Sequence, residues 1–189
     1  MPAICVYCAS VPTIEAAYVD LAAQVGTLIA ARGHSLVSGG GRTSMMGALA
    51  SAVRAAGSST VGVIPRSLVD SEIADEASTE LHIVETMRER KALMEARSDA
   101  FLVLPGGIGT MEELFEIWTS RYLLMHRKPV VLLNAFDFYA PLLALVEHLR
   151  SAGFVRSEAL VALHVVTDAS TALDVIEAEL ISPDRGGRR

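Results

Sequence analysis

The run at residues 104–113, LPGGIGTMEE, sets three glycines, a threonine and two carboxylates within ten positions. Gly106, Gly107 and Gly109 let the backbone approach a ligand closely, with their amides turned inward. The apolar stretch Ala100-Phe101-Leu102-Val103 precedes the run, and Leu114, Ile117 and Trp118 follow it at helical spacing. A buried strand, a glycine turn and a helix N-terminus in that order form an anion site. The first-turn N–H groups lack partners inside the helix, and the helix dipole favours negative charge there. Carboxylates at Glu112 and Glu113 oppose simple phosphate binding, so they point to chemistry on the part of the ligand adjoining the phosphate. Glu113 also has a structural alternative. Thr110-Met111-Glu112-Glu113 has the spacing of a capping box, in which an N-cap threonine and a glutamate three residues on satisfy each other's backbone amides. Glu112 is expected to face solvent or to complement the dipole.

A second set of groups lies upstream. In the helix predicted over 86–97, Met87, Arg90, Lys91 and Met94 share one face, and Glu85, Arg88, Glu89 and Ala92 take the other. Cations on the methionine-bearing stripe are unexpected in a pure packing helix. Arg90 has a planar fork suited to phosphate or carboxylate, and Lys91 adds a point charge. The alternative is that both reach solvent, or pair with Glu113 or Asp99. A further glycine turn, Gly39-Gly40-Gly41, leads through Arg42-Thr43-Ser44 to Met45, Met46 and Gly47. It approaches the dinucleotide fingerprint, but Ser44 stands where the third glycine belongs, and neither turn is followed by the lysine of a P-loop. NAD binding and nucleoside triphosphate hydrolysis are poor readings. Two glycine turns at strand ends instead imply a compact nucleotide site lined by both.

The elements that must position these groups alternate along the chain. Candidate strands span 3–7, 35–38, 60–64, 81–84, 100–104, 130–133 and 163–167. Helical patterns run through Ile14, Ala17, Tyr18, Leu21, Val25, Leu28 and Ile29 to a stop at Gly33, and over 44–56, 86–97, 110–126, 138–152 and 169–181. Apolar strands joined by helices predict an α/β fold: a single doubly wound parallel sheet of about seven strands with helices on both faces. Ligands bind such sheets outside the carboxyl ends of the strands. The polar segment 65–79 is expected to form a rim loop with a short helical turn. One domain over 1–181 is expected, with 182–189 (SPDRGGRR) as a disordered tail.

Composition narrows the function classes. The 189 residues are 51% hydrophobic, enough for a full core, yet no apolar run approaches the roughly 20 residues that span a bilayer. With no signal-peptide pattern at the N-terminus, a soluble cytoplasmic protein is expected. A net charge of −6 argues against a nucleic-acid or membrane-surface partner, which needs a basic field. Cys5 and Cys8 form a lone C-x-x-C inside a strand, which reads as two buried thiols rather than a redox pair. The five histidines share no metal-ligand spacing, so no metal is expected.

The pairing of Met87-Arg88-Glu89-Arg90-Lys91 with Pro105-Gly106-Gly107-Ile108-Gly109-Thr110-Met111-Glu112-Glu113 resembles the LOG family, the cytokinin riboside 5′-monophosphate phosphoribohydrolases, many long labelled "possible lysine decarboxylase". The resemblance extends to Val6–Ser10, to the Gly39–Gly41 turn with Met46-Gly47, and to Lys128-Pro129; Arg88 departs from the histidine common at its position. It implies a Rossmann-like homodimer that hydrolyses the N-glycosidic bond of an adenosine-type 5′-monophosphate and needs no cofactor. By motif, the catalytic pair falls on Arg90 and Glu113. Substrate contacts fall on Glu72, Arg90, Lys91, Thr119 and the stretch Gly106, Gly107, Ile108, Gly109, Thr110, Met111, Glu112 and Glu113, with Gly40, Gly41 and Met46 from the other turn. The decarboxylase label fits poorly, because a pyridoxal phosphate enzyme needs a Schiff-base lysine and only Lys91 and Lys128 exist. Two rival readings are a general AMP nucleosidase and a non-catalytic nucleotide-binding or cofactor-carrier protein.

Overall fold

Five inner strands with almost no side chain exposed dictate a sheet that must be covered on both faces. A computed structural model, which describes residues 1–69 and 73–181, has that architecture. The strands β1 (Ala3–Tyr7), β2 (Ser35–Ser38), β3 (Thr60–Pro65), β4 (Glu80–Val84), β5 (Ala100–Val103), β6 (Val130–Leu133) and β7 (His164–Val166) form one sheet in the order β4-β3-β2-β1-β5-β6-β7. Every pairing is parallel, and β1 lies between β2 and β5 in registers such as Cys5↔Val37 and Tyr7↔Val103. The two edge strands depart from the all-apolar expectation. Ile83 on β4 and Val165 on β7 are exposed, as a strand with only one neighbour allows.

Helices α1 (Ala16–Ala31), α2 (Ser44–Ala55) and α7 (Ala169–Ile181) cover one face through Leu21, Val25, Ile29, Leu49, Val53, Leu173 and Ile176. The other face carries α3 (Met87–Ala96), α4 (Ile108–Tyr122), α5 (Ala140–Ser151) and a short α6 (Ser157–Val161), with Met94, Leu114, Ile117, Trp118 and Val146 in its core. The predicted pattern did not include α6, whose single turn carries too few periodic positions to register. Gly26 sits where α1 meets α2, and a Cβ there would lie 2.5 Å from the Leu49 carbonyl oxygen. Gly33 ends α1 as expected, with a left-handed φ of 75°. The rim segment after β3 begins with a 3₁₀ turn at Arg66–Leu68, and Gly41 and Ala74 later form an isolated antiparallel bridge. Glu72 and the tail 182–189 lie outside the described residues. Among the described residues, no helix is long and apolar enough to cross a membrane.

Candidate active site

The strand order reverses between β1 and β5, and a cavity of about 310 Å³ opens there at their carboxyl ends. Its walls come from four places. Residues 6–11 follow β1 over the top of the sheet, Gly39 and Met46 flank the β2–α2 turn with Leu68 nearby, and Met87 with Arg90 comes from α3. The last wall is Gly107, Ile108, Gly109, Thr110 and Glu113 of α4. Arg90 is the one cation and Glu113 the one carboxylate among the described lining residues.

The α4 wall is a helix N-terminus. Gly107 is the N-cap, and the first intrahelical bond runs from the Met111 N–H to the Gly107 carbonyl at 3.0 Å. The amides of Ile108, Gly109 and Thr110 precede that bond, so they remain to meet an anion. Thr110 is the third helical residue and not the N-cap, which overturns the capping-box reading of Glu113. The helix begins two residues earlier than the pattern suggested, with its cap at Gly107 in place of Thr110, because Gly107 can cap without a side chain. The capping box forms instead at α3: Thr86 Oγ1 accepts from the Glu89 N–H at 3.1 Å, and Glu89 accepts from the Thr86 N–H at 3.2 Å. Gly106 is buried beneath Thr110, since a Cβ on it would lie 2.1 Å from Thr110 Oγ1.

Arg90 is 5% exposed and fixed by backbone carbonyls. Its Nε donates to Val63 at 3.1 Å and its Nη2 to Gly39 at 2.8 Å, while Nη1 lies 3.8 Å from Met87 Sδ. Tyr7 stands at the cavity floor, stacked on Phe101 with the ring planes 6° apart. Burial pushes its phenol well above the ordinary tyrosine range, and the nearby Cys5 and Glu113 charges push the same way. Behind it, burial drives the Cys5 thiol up to about 12. The floor beneath Arg90 and Glu113 is therefore neutral and keeps its protons. Cys5 and Cys8 are both free and buried, and they pack into the cores on opposite faces of the sheet, as two thiols and not a redox pair.

Several expected site residues stand elsewhere. Lys91 Nζ turns away from the cavity and binds Glu112, with Glu116 at 2.8 Å, so Glu112 is exposed as expected and is in addition an ion-pair partner. Burial acts to lower the Lys91 pKa, but these two carboxylates outweigh it and raise the value. Asp99 accepts from the Ala3 amide and takes no cation of α3. Met111 and the exposed Thr119 do not line the cavity; Thr119 is six residues beyond Glu113, about 9 Å up the helix and on another face. Gly40 and Gly41 are buried behind the wall, where the Gly40 carbonyl accepts from the Asp75 amide at 2.8 Å. The sequence reading named Gly39 only as part of a glycine turn and Tyr7 and Ser10 only within a motif, and it gave no site role to Val11, Leu68 or Met87, although Met87 lay on the stripe that singled out Arg90. Neither lysine lines the cavity, so no amine stands there to form an imine with pyridoxal phosphate; Lys128 Nζ donates to the Glu95 carbonyl at 2.5 Å.

Comparison with known proteins adds to this geometry. The family described as possible lysine decarboxylase matches residues 46–176. The chain is 50% identical over 170 residues, 90% of each protein, to the cytokinin riboside 5′-monophosphate phosphoribohydrolase of Mycobacterium tuberculosis. It is 42% identical over 173 residues to the enzyme of the same name, LOG, from Oryza sativa subsp. japonica, covering 92% of this chain and 70% of that one. Among solved structures, the molybdenum cofactor carrier protein of Chlamydomonas reinhardtii aligns with a TM-score of 0.70 over 96% of this chain and 98% of that one. At 20% identity that likeness concerns the fold alone.

Proposed function

The chain belongs to the LOG family, and from that premise we propose that it hydrolyses the N-glycosidic bond of cytokinin riboside 5′-monophosphates to the free base and ribose 5-phosphate. One observation carries the reading: Arg90 from α3 and Glu113 from α4 line the same cavity, beside the open N-terminus of α4. The amides of residues 108–110 take the 5′-phosphate, and Thr110 adds a hydroxyl. This anchor sets the ribose over Arg90 and Glu113, with the base toward Met46, Leu68 and Met87.

Cleavage leaves the bond pair on N9 of the base and builds oxocarbenium-like charge at C1′, as in glycoside hydrolysis. The Glu113 carboxylate faces that charge and accepts the proton of the water that attacks C1′; that proton then passes to the departing base through solvent, which gives the neutral base, ribose 5-phosphate and the Glu113 carboxylate again. Arg90 orients the ribosyl phosphate beside the Glu113 carboxylate. We take residues 1–181 as one hydrolase domain acting in the cytoplasm. A second copy covers the exposed stripe of Ile108, Phe115 and Leu123 along α4, giving a homodimer. Base release from isopentenyladenosine 5′-monophosphate and from AMP tests the reading. Release of isopentenyladenine at the higher kcat/KM is expected. Equal turnover of AMP would make the protein a general AMP nucleosidase, and ligand recovered intact would make it a carrier.

A further inference from the structure

The β2–α2 turn has the composition of a ligand-binding loop, and its carbonyls also meet the protein. We propose that this turn positions the Arg90 guanidinium and that Gly39 is the residue on which the positioning depends; the proposal rests on the catalytic reading of Arg90. The Nε and Nη2 atoms share one edge of the guanidinium plane, and both donate to carbonyls, Val63 at 3.1 Å and Gly39 at 2.8 Å. Those carbonyls lie in β3 and just beyond β2, which are paired in the sheet through Ser38↔Gly62. Two acceptors on neighbouring strands fix both the plane and the rotation of the fork. Its other edge is thereby directed toward Met87 at the cavity wall.

The Gly39 acceptor is itself held from behind. The Gly40 carbonyl accepts from Asp75 at 2.8 Å, and the Arg42 amide donates to the Ile73 carbonyl at 3.0 Å. Asp75, 4% exposed, is gripped by Arg54 at 2.7 Å, and Thr43 Oγ1 donates to the Ser10 carbonyl at 3.0 Å. The turn cannot follow a displaced arginine. Glycine at 39 is what permits the approach, because a Cβ would lie 2.0 Å from Nη2 and 3.0 Å from Cζ of Arg90. The φ of Gly39 is not left-handed, so alanine suits the backbone. The atoms met, these two and the more distant Met46 Sδ at 3.2 Å, are the far ends of side chains and not backbone. Gly39→Ala therefore moves the guanidinium and leaves the fold in place.

A double-mutant cycle reads this directly. Gly39→Ala, Arg90→Ala and the double variant are compared for base release from isopentenyladenosine 5′-monophosphate and for melting temperature. Gly39→Ala should lower kcat by about tenfold or more, as misplacing a reacting group does. With Arg90 already removed, the same change should cost no further turnover, and any melting temperature lost to Gly39→Ala should be recovered. Losses that multiply in the double variant, or a melting temperature lowered equally with and without Arg90, would overturn the proposal. So would normal turnover by Gly39→Ala when Arg90→Ala is crippled. Normal turnover by Arg90→Ala would instead sink the catalytic reading of Arg90, and the positioning role with it.

Discussion

Arg90 and Lys91 are neighbours in sequence with opposite fates. One is drawn under the sheet's edge by two carbonyls, and the other is pulled outward by Glu112 and Glu116. The i, i+3, i+4 spacing placed both on the buried side of α3, since a helix face is legible from periodicity. It could not say which partners wait there, because Val63, Gly39 and Glu116 are far away in sequence. Tyr7 and Cys5 were legible as strand residues but not as the floor of a site. Their burial has a consequence in solution. Cys5 rises from 9.0 to about 12 and Tyr7 rises from 10.0, in each case first because burial penalises the charged form. The folded state thus keeps protons that the unfolded chain gives up. The stabilisation is complete below pH 9 and declines as pH climbs toward the folded values, by about 1.4 kcal/mol per pH unit for each group titrating. The urea midpoint should be flat from pH 7 to 8.5 and fall steeply by pH 10.5. A midpoint unchanged at pH 10.5 would contradict the buried, protonated floor.

The two glycine turns, alike in sequence, do different work as elements. The one after β5 opens α4 and presents bare amides, whereas the one after β2 presents a carbonyl to a side chain and hides Gly40 and Gly41. Glycine content marked both as close-approach turns, but what approaches is decided by tertiary packing. The start of α4 was misread for a related reason. Thr110 has an N-cap side chain, but Gly107 takes the cap, which leaves Thr110 buried over Gly106. Gly106→Ala should therefore damage this element, because its Cβ would strike Thr110 at Oγ1, Cβ and Cγ2 within 2.7 Å, and those atoms cannot swing aside. Displacement of the first turn of α4 should raise KM for the nucleotide by about tenfold, with a smaller effect on kcat. Steady-state kinetics on the folded variant decides it; an unchanged KM would mean the α4 amides do not hold the phosphate.

At the scale of the whole molecule, the alternation of strands and helices implied a doubly wound parallel sheet and a site at its carboxyl ends, but not the strand order. A doubly wound sheet has one reversal point, and here it brings the ends of β1 and β5 together with α3 and α4 over a single cavity. What periodicity could not supply was the convergence of a cation from one crossover with an acid from the next. Chain reversal brings these groups within one pocket although 23 positions separate them in sequence. Turnover by Glu113→Gln tests that convergence most directly, since the amide keeps the shape of the side chain and loses its charge and basicity. Isopentenyladenine release from isopentenyladenosine 5′-monophosphate should fall by at least about a hundredfold in kcat, in a protein that melts like the parent and still binds ribose 5-phosphate. Release at close to the parent rate would contradict the account.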